Sequence, residues 1–155
     1  MKTTIVALLC LVLPFAAVAG NAGYAVKYDG GSIANLKTGT GIGIVIQGDQ
    51  ILIGKGKTLI ATIPASSVTE ISYGQDVHRR VGTAVAVAVF SFGIGALTAL
   101  SKSKKHFIGL TWANGDEKGG FAMQCDKNDY RGILAGLEGV TGKKAVDSEA
   151  INVKN

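Results

Sequence analysis

The chain has 155 residues, with 16 Lys and Arg against 11 Asp and Glu, a formal net charge of +5 and 47% hydrophobic residues. That is too apolar for a disordered polar chain, and the modest basic excess has few aromatics beside it to stack on bases, so nucleic acid is not an expected partner. Of the two cysteines only Cys125 lies beyond the first nineteen residues, which excludes a disulfide-held scaffold.

Lys2, the apolar stretch from Ile5 to Phe15 and the small residues Ala17 and Ala19 read as a secretory signal peptide over residues 1–19. Leu9 is too bulky for lipoprotein processing at Cys10. Cleavage after Ala19 leaves about 136 residues, one domain large enough to bury a core, with a net charge of +4 once Lys2 is gone. Export to the cell envelope, periplasmic or membrane-associated, is the expected localisation.

From Tyr24 the chain is a series of short strands between glycine-containing turns. Tyr24–Tyr28 stops at Asp29-Gly30-Gly31. Ile42–Gln47 and Gln50–Ile53 flank Gly48-Asp49, which suits a two-residue hairpin. Thr58–Ile63 follows a basic turn and ends at Pro64, which has no donor for a sheet ladder. Val68–Tyr73 points Val68, Ile71 and Tyr73 inward only if the strand bulges.

Val81–Leu100 is a run of twenty residues without a charge. His78-Arg79-Arg80 precedes it, and Lys102, Lys104 and Lys105 follow. As a helix rising about 1.5 Å per residue it covers roughly 30 Å, the thickness of a bilayer's hydrocarbon core. Ser91, Gly95 and Ala99 fall at four-residue spacing, which lets helices approach closely in lipid. Three arrangements are open. The run spans a membrane once, or Gly93-Ile94-Gly95 breaks it into a hairpin dipping into one leaflet, or that hairpin packs against the domain or a second copy. The second and third keep the flanking β segments together and are preferred.

After the run, Phe107–Trp112 reads as a strand with Phe107, Leu110 and Trp112 contributing to the core. Asn114-Gly115 is the best hairpin signal, leading through a loop longer than two residues to Phe121–Cys125. Phe121, Met123 and Cys125 share one face there, which makes the thiol a small buried hydrophobe. Asp126 is placed to cap a helix whose apolar stripe is Tyr130, Ile133, Leu134 and Leu137. Gly139 or Gly142 ends it, and residues 143–155 read as a flexible tail.

The sum is a mainly β (α+β) domain over 20–142, interrupted by the insert. Ile51-Leu52-Ile53, the stretch Ile63-Pro64-Ala65-Ser66-Ser67-Val68-Thr69-Glu70-Ile71, and Ile108-Gly109-Leu110-Thr111-Trp112 with its Asn114-Gly115 turn and closing helix resemble bacterial pleckstrin-homology-like (GRAM-like) domains. The resemblance covers most of residues 24–142 and implies a bent barrel of about seven strands with a C-terminal helix capping its open end. The hydrophobic helical insert before the last hairpin, and the signal peptide, depart from that family. The chain is also similar to small exported bacterial proteins of uncharacterised function with a glycine-rich hydrophobic segment at this place.

Catalytic patterns are missing. Gly54-Lys55-Gly56-Lys57-Thr58 lacks the first glycine of a phosphate-binding loop, having Ile51 there, and leads into a strand rather than a helix. His78 and His106, with Asp76, lack metal-ligand spacing. Ser66 and Ser67 lack nucleophile-elbow glycines, and Asp126 and Asp129 are placed for capping. No cofactor, metal or catalytic residue is expected. The expected function is a non-enzymatic exported binding or assembly module, attached to a membrane through the insert. Arg79, Arg80, Gly93, Gly95, Lys102, Lys104 and Lys105 would contact lipid or anionic headgroups, and the insert is also the place for a homo-oligomer. The alternative is a soluble envelope enzyme or small-ligand carrier with the insert as a lid over a pocket.

Overall fold

The computed structural model describes residues 23–75, 77–84 and 105–148, with the side chains of His78, Arg79, Thr83 and Ala84 left aside. The signal peptide and residues 85–100 of the apolar run lie outside the described residues.

The described chain is mainly β. Seven strands occur where the alternation places them: β1 (Gly23–Gly31), β2 (Gly41–Gln47), β3 (Gln50–Lys55), β4 (Thr58–Pro64), β5 (Val68–Tyr73), β6 (His106–Asn114) and β7 (Glu117–Cys125). An eighth, β8 (Val146–Asp147), follows the helices α1 (Val77–Ala84) and α2 (Tyr130–Thr141). All eight belong to one sheet in the order β4-β3-β2-β1-β7-β6-β5-β8. Two antiparallel meanders, β1 to β4 and β5 to β7, are thus joined where β1 pairs with β7, with a register shift between Tyr28 and Gly30. The bulge in β5 falls between Val68 and Glu70, which turns both Val68 and Ile71 into the core.

The expected barrel is corrected in one respect: the sheet does not close. Pro64 ends β4, a single 3-10 turn at Ala65–Ser67 redirects the chain, and the outer edge of β5 is taken by β8, with Ser72 opposite Val146 and Tyr73 opposite Asp147. The segment expected as a loose tail is tied down as far as Ser148. Ser148 N–H donates to Tyr73 O at 2.7 Å, and Ala145 N–H donates to Glu138 Oε1 at 2.8 Å. That amide, helped by Lys144, holds the Glu138 carboxyl below the usual carboxylate range.

One face of the sheet carries the main core. Ile44, Ile51, Ile53, Ile71, Ile108, Leu110, Phe121 and Met123 are fully buried there, together with Ile133 and Leu137 of α2. Each such side chain contributes about 1.5–3 kcal/mol of transfer free energy. Helix α2 lies against β2, β5, β6 and the 3-10 turn, and ends at Gly142 in the left-handed conformation. Its N-cap is Asp129 rather than the expected Asp126. Asp126 instead makes the preceding turn, its Oδ1 accepting from Asn128 N–H at 2.9 Å.

Two further expectations change. The last hairpin has a two-residue turn at Gly115-Asp116, because Asn114 pairs directly with Glu117 and β7 begins four residues before its apolar stretch. Gly119 lies under the Trp112 indole, where a Cβ would overlap the ring, so this part of β7 carries no apolar alternation to read. Phe107 sits on the opposite face of the sheet from Leu110 and clusters with Val77, Val81 and Ala122.

Candidate functional site

Helix α1 carries the chain into the apolar run, and its docking defines a second, outer face. Val77 and Val81, four residues apart and so on one side of the helix, are fully buried against Phe107 and Ala122. They reach the sheet because position 109 is glycine: a Cβ there would stand 2.5 Å from Val77 Cγ1 and 2.7 Å from Val81 Cγ2. Arg80 fastens the helix to β5 through Glu70, with Nε to Oε1 at 2.9 Å and a second guanidinium nitrogen to Oε2 at 3.1 Å. This bond to Glu70 raises the Arg80 pKa further above its ordinary value.

Lys105, five residues beyond the run, is held at the same place. Gln75 Nε2 donates to Lys105 O at 2.5 Å, and Gly74 N–H donates to Phe107 O at 3.2 Å. The run therefore lies in a β5–β6 connection, and those two strands are antiparallel neighbours, with Ser72 opposite Gly109 and Tyr73 opposite Ile108. A single membrane crossing between them would separate paired strands.

Beside this junction lies a cleft of about 510 Å³. The register builds it. Lys27 of β1 stands opposite Gln124 of β7, which stands opposite Phe107 of β6. Lys105, just before β6, and Asp126, just after β7, lie at the same end of the sheet, and Lys127 completes the rim. Ala25 and Gly41 line it too, and their small size leaves the space open. Among the described residues none of Lys27, Lys105 and Lys127 pairs with a carboxylate.

His106 and Cys125 also line the cleft and face each other across β6 and β7. The imidazole is held from two sides. Its Nδ1 shares a hydrogen bond with the Tyr73 hydroxyl at 2.9 Å, and its ring stacks on Tyr130 with centroids 3.9 Å apart and planes 5° apart. Arg131 Nε donates to the Tyr130 hydroxyl at 2.9 Å, with its guanidinium carbon 5.7 Å from that ring's centroid. The stack joins the start of α2 to β5 and β6. A Cys beside a His invites a nucleophilic reading, but the thiol is buried, and burial followed by the charge of Asp129 pushes it up to about 12. A thiol held protonated at neutral pH is a packing group.

Of the residues expected at a headgroup contact, Lys105 is on the rim of the cleft, while Arg80 is committed to Glu70. The side chain of Arg79, and Gly93, Gly95, Lys102 and Lys104, lie outside the described residues. Sequence reasoning missed Lys27 and Lys127, which the β1–β7 and β6–β7 pairings together bring to the same end of the sheet as Lys105. Tyr73 does pack against the core as its inward reading expects, but its bond to His106 and the stack on Tyr130 were not legible, because no local spacing links positions 73, 106 and 130. A second cavity, of about 520 Å³, lies between residues 32–36, β4 and Trp112, where Leu59 is 60% exposed. Among the described residues no three His, Cys, Asp or Glu side chains are grouped to hold a metal ion, and no helix is long and apolar enough to cross a membrane.

No protein-family model matches the chain, and no curated protein is significantly similar to it.

Proposed function

We propose that the protein is an exported, non-enzymatic binding or assembly module of the cell envelope, held to a membrane by the apolar run at 81–100. The observation that carries this reading is the placement of the run between two hydrogen-bonded neighbours, β5 and β6, with Gln75 touching Lys105 at its base. Val81, where the run begins, is buried on the sheet, and Lys105, five residues past its end, is bonded to Gln75, so the uncharged residues between them can enter a leaflet and return while the domain stays whole. The pleckstrin-homology-like reading is supported by the two meanders, by the bulge where β1 passes from one to the other, and by the C-terminal helix over the core.

The test is the distribution of the protein between soluble and membrane fractions after an alkaline carbonate wash, for the intact chain and for one with residues 85–104 replaced by a short Gly/Ser linker. Retention of the intact chain alone is the expected result. Release of both chains overturns the membrane reading, and the cleft then favours a soluble carrier of a small anion.

A further inference from the structure

We infer that the open edge of β4 receives an extended segment of a partner protein as an added strand, with one large apolar side chain of that segment seated beside Leu59 and Trp112 and acidic residues flanking it. This rests on the binding-module reading above and names the partner; the membrane half of that reading does not enter it.

The edge comes first. Strand β4 is the last of the sheet and pairs only with β3 among the described residues. The Gly48-Asp49 turn closes on Gln47 and Gln50, a pair that exchanges both backbone bonds in a two-residue hairpin, so Asp49, Ile51 and Ile53 turn their backbone groups toward β4. Asp49 O accordingly accepts from Ala65 N–H at 2.7 Å, and Ile51 and Ile53 stand opposite Ile63 and Ala61. This alternation leaves the N–H and C=O of the exposed Thr62 facing away from the sheet. An edge of that kind is a template for a further strand. Pro64 at one end and the register shift at Gly54 at the other keep it short.

Beside the first half of β4 lies the cavity of about 520 Å³, lined by Leu59 and Ile60 of one meander, Trp112 of the other and Leu36 of the β1–β2 connection. Leu59 is the most exposed large hydrophobic side chain among the described residues, and Trp112 is only partly covered. An exposed leucine alone needs no explanation. One that borders a cavity with a tryptophan in its wall makes an anchor site for a partner's apolar side chain.

Charge then selects the flanks. Lys55 lines the cavity, Lys57 follows in the turn and Lys37 comes next after Leu36, while no carboxylate lines the cavity and none of these lysines pairs with one among the described residues. A simple anion would leave Leu59 and Trp112 uncovered, and a neutral apolar molecule would leave the lysines and the Thr62 backbone unused. A short strand with an apolar centre and acidic flanks engages all three.

The experiment is a titration followed by the emission of Trp112, the one tryptophan of the chain. The full chain is used in buffer, or in phosphatidylcholine vesicles if the carbonate wash leaves it in the membrane, so the result is separable from the membrane reading. The probes are short capped peptides with an aspartate at each end, alternating threonine and valine between, and leucine, methionine or phenylalanine at the centre. A saturable change in emission is expected with at least one of them, and none when its backbone amides are methylated. Leu59→Ser, at an exposed position that the fold does not depend on, should weaken binding about tenfold. Lys55→Gln/Lys57→Gln should weaken it about threefold for each ion pair lost, while Lys27→Gln/Lys127→Gln, at the other end of the sheet, leaves it unchanged. Absence of a saturable change with every peptide overturns the inference and leaves membrane attachment to the carbonate wash. Binding that is indifferent to Leu59→Ser places the peptide elsewhere and overturns the site, and equal binding of the methylated peptide overturns strand addition. A change in emission with protein concentration alone, accompanied by a dimer in sedimentation, gives the edge to a second copy and overturns the partner named here.

Discussion

Arg80 meets Glu70 with both prongs of its guanidinium, at 2.9 and 3.1 Å, so that the last basic residue before the apolar run is bound to the sheet. The pair is partly shielded, with side-chain exposures of 18% and 35%. A double-mutant cycle with Glu70→Gln and Arg80→Gln should give a coupling of about 1 kcal/mol, above the median for exposed pairs because the geometry is two-pronged. Urea unfolding measures it, and strict additivity of the single substitutions would show that the pair does not fasten α1.

Glycine at 109 is the second fastening. Gly109→Ala places a methyl group against Val77, Val81 and the Ser72 hydroxyl and should cost about 1–3 kcal/mol through overpacking. Trimming the helix side of the contact with Val77→Ala should recover part of the loss. A double variant no more stable than the sum of its single costs predicts would contradict the packing of α1 on β6.

The strands were legible because apolar alternation and turn residues coincide: Gly48-Asp49 sits between Gln47 and Gln50 as a hairpin requires, and Pro64 ends β4. What was not legible depends on contacts far apart in the chain. The two-residue turn at Gly115-Asp116 is set by pairing through Lys118 and Gly119, which have no apolar pattern. The outward face of Phe107 makes sense only once α1 lies over it. Lys27 reads as any solvent-facing residue of an alternating strand until β7 is laid beside β1, and the imidazole of His106 finds its partners at positions 73 and 130.

Alkaline pH should destabilise the fold. Burial pushes the Cys125 thiol from 9.0 up to about 12 and the Tyr28 hydroxyl from 10.0 up to about 12. Below about pH 8 both are protonated in folded and unfolded chains alike, and their contribution is fully present. Between the unfolded and folded values the unfolded chain releases protons that the folded chain keeps, so stability falls as pH rises toward 12. Urea midpoints measured from pH 8 upward should fall steadily, and less steeply for Cys125→Ser, whose hydroxyl does not titrate. A slope unchanged by that substitution would place the thiol in contact with water.

Tyr73→Phe removes the hydroxyl that meets His106 Nδ1 and should cost about 1 kcal/mol. The loss should appear with a change in the His106 nitrogen chemical shifts. Unchanged shifts would mean that the stack on Tyr130 alone holds the ring.

The most direct measurement of the central claim is the sidedness of the two meanders on sealed membrane vesicles. Gln47→Cys and Asn114→Cys each place one exposed thiol, on β2 and at the end of β6, in a Cys10→Ser chain whose remaining Cys125 is buried. Since β5 and β6 are paired neighbours on either side of the apolar run, a membrane-impermeant maleimide should label both positions together, or neither until detergent is added. Labelling of one position with protection of the other would mean that the run crosses the membrane once and that the sheet described here does not form.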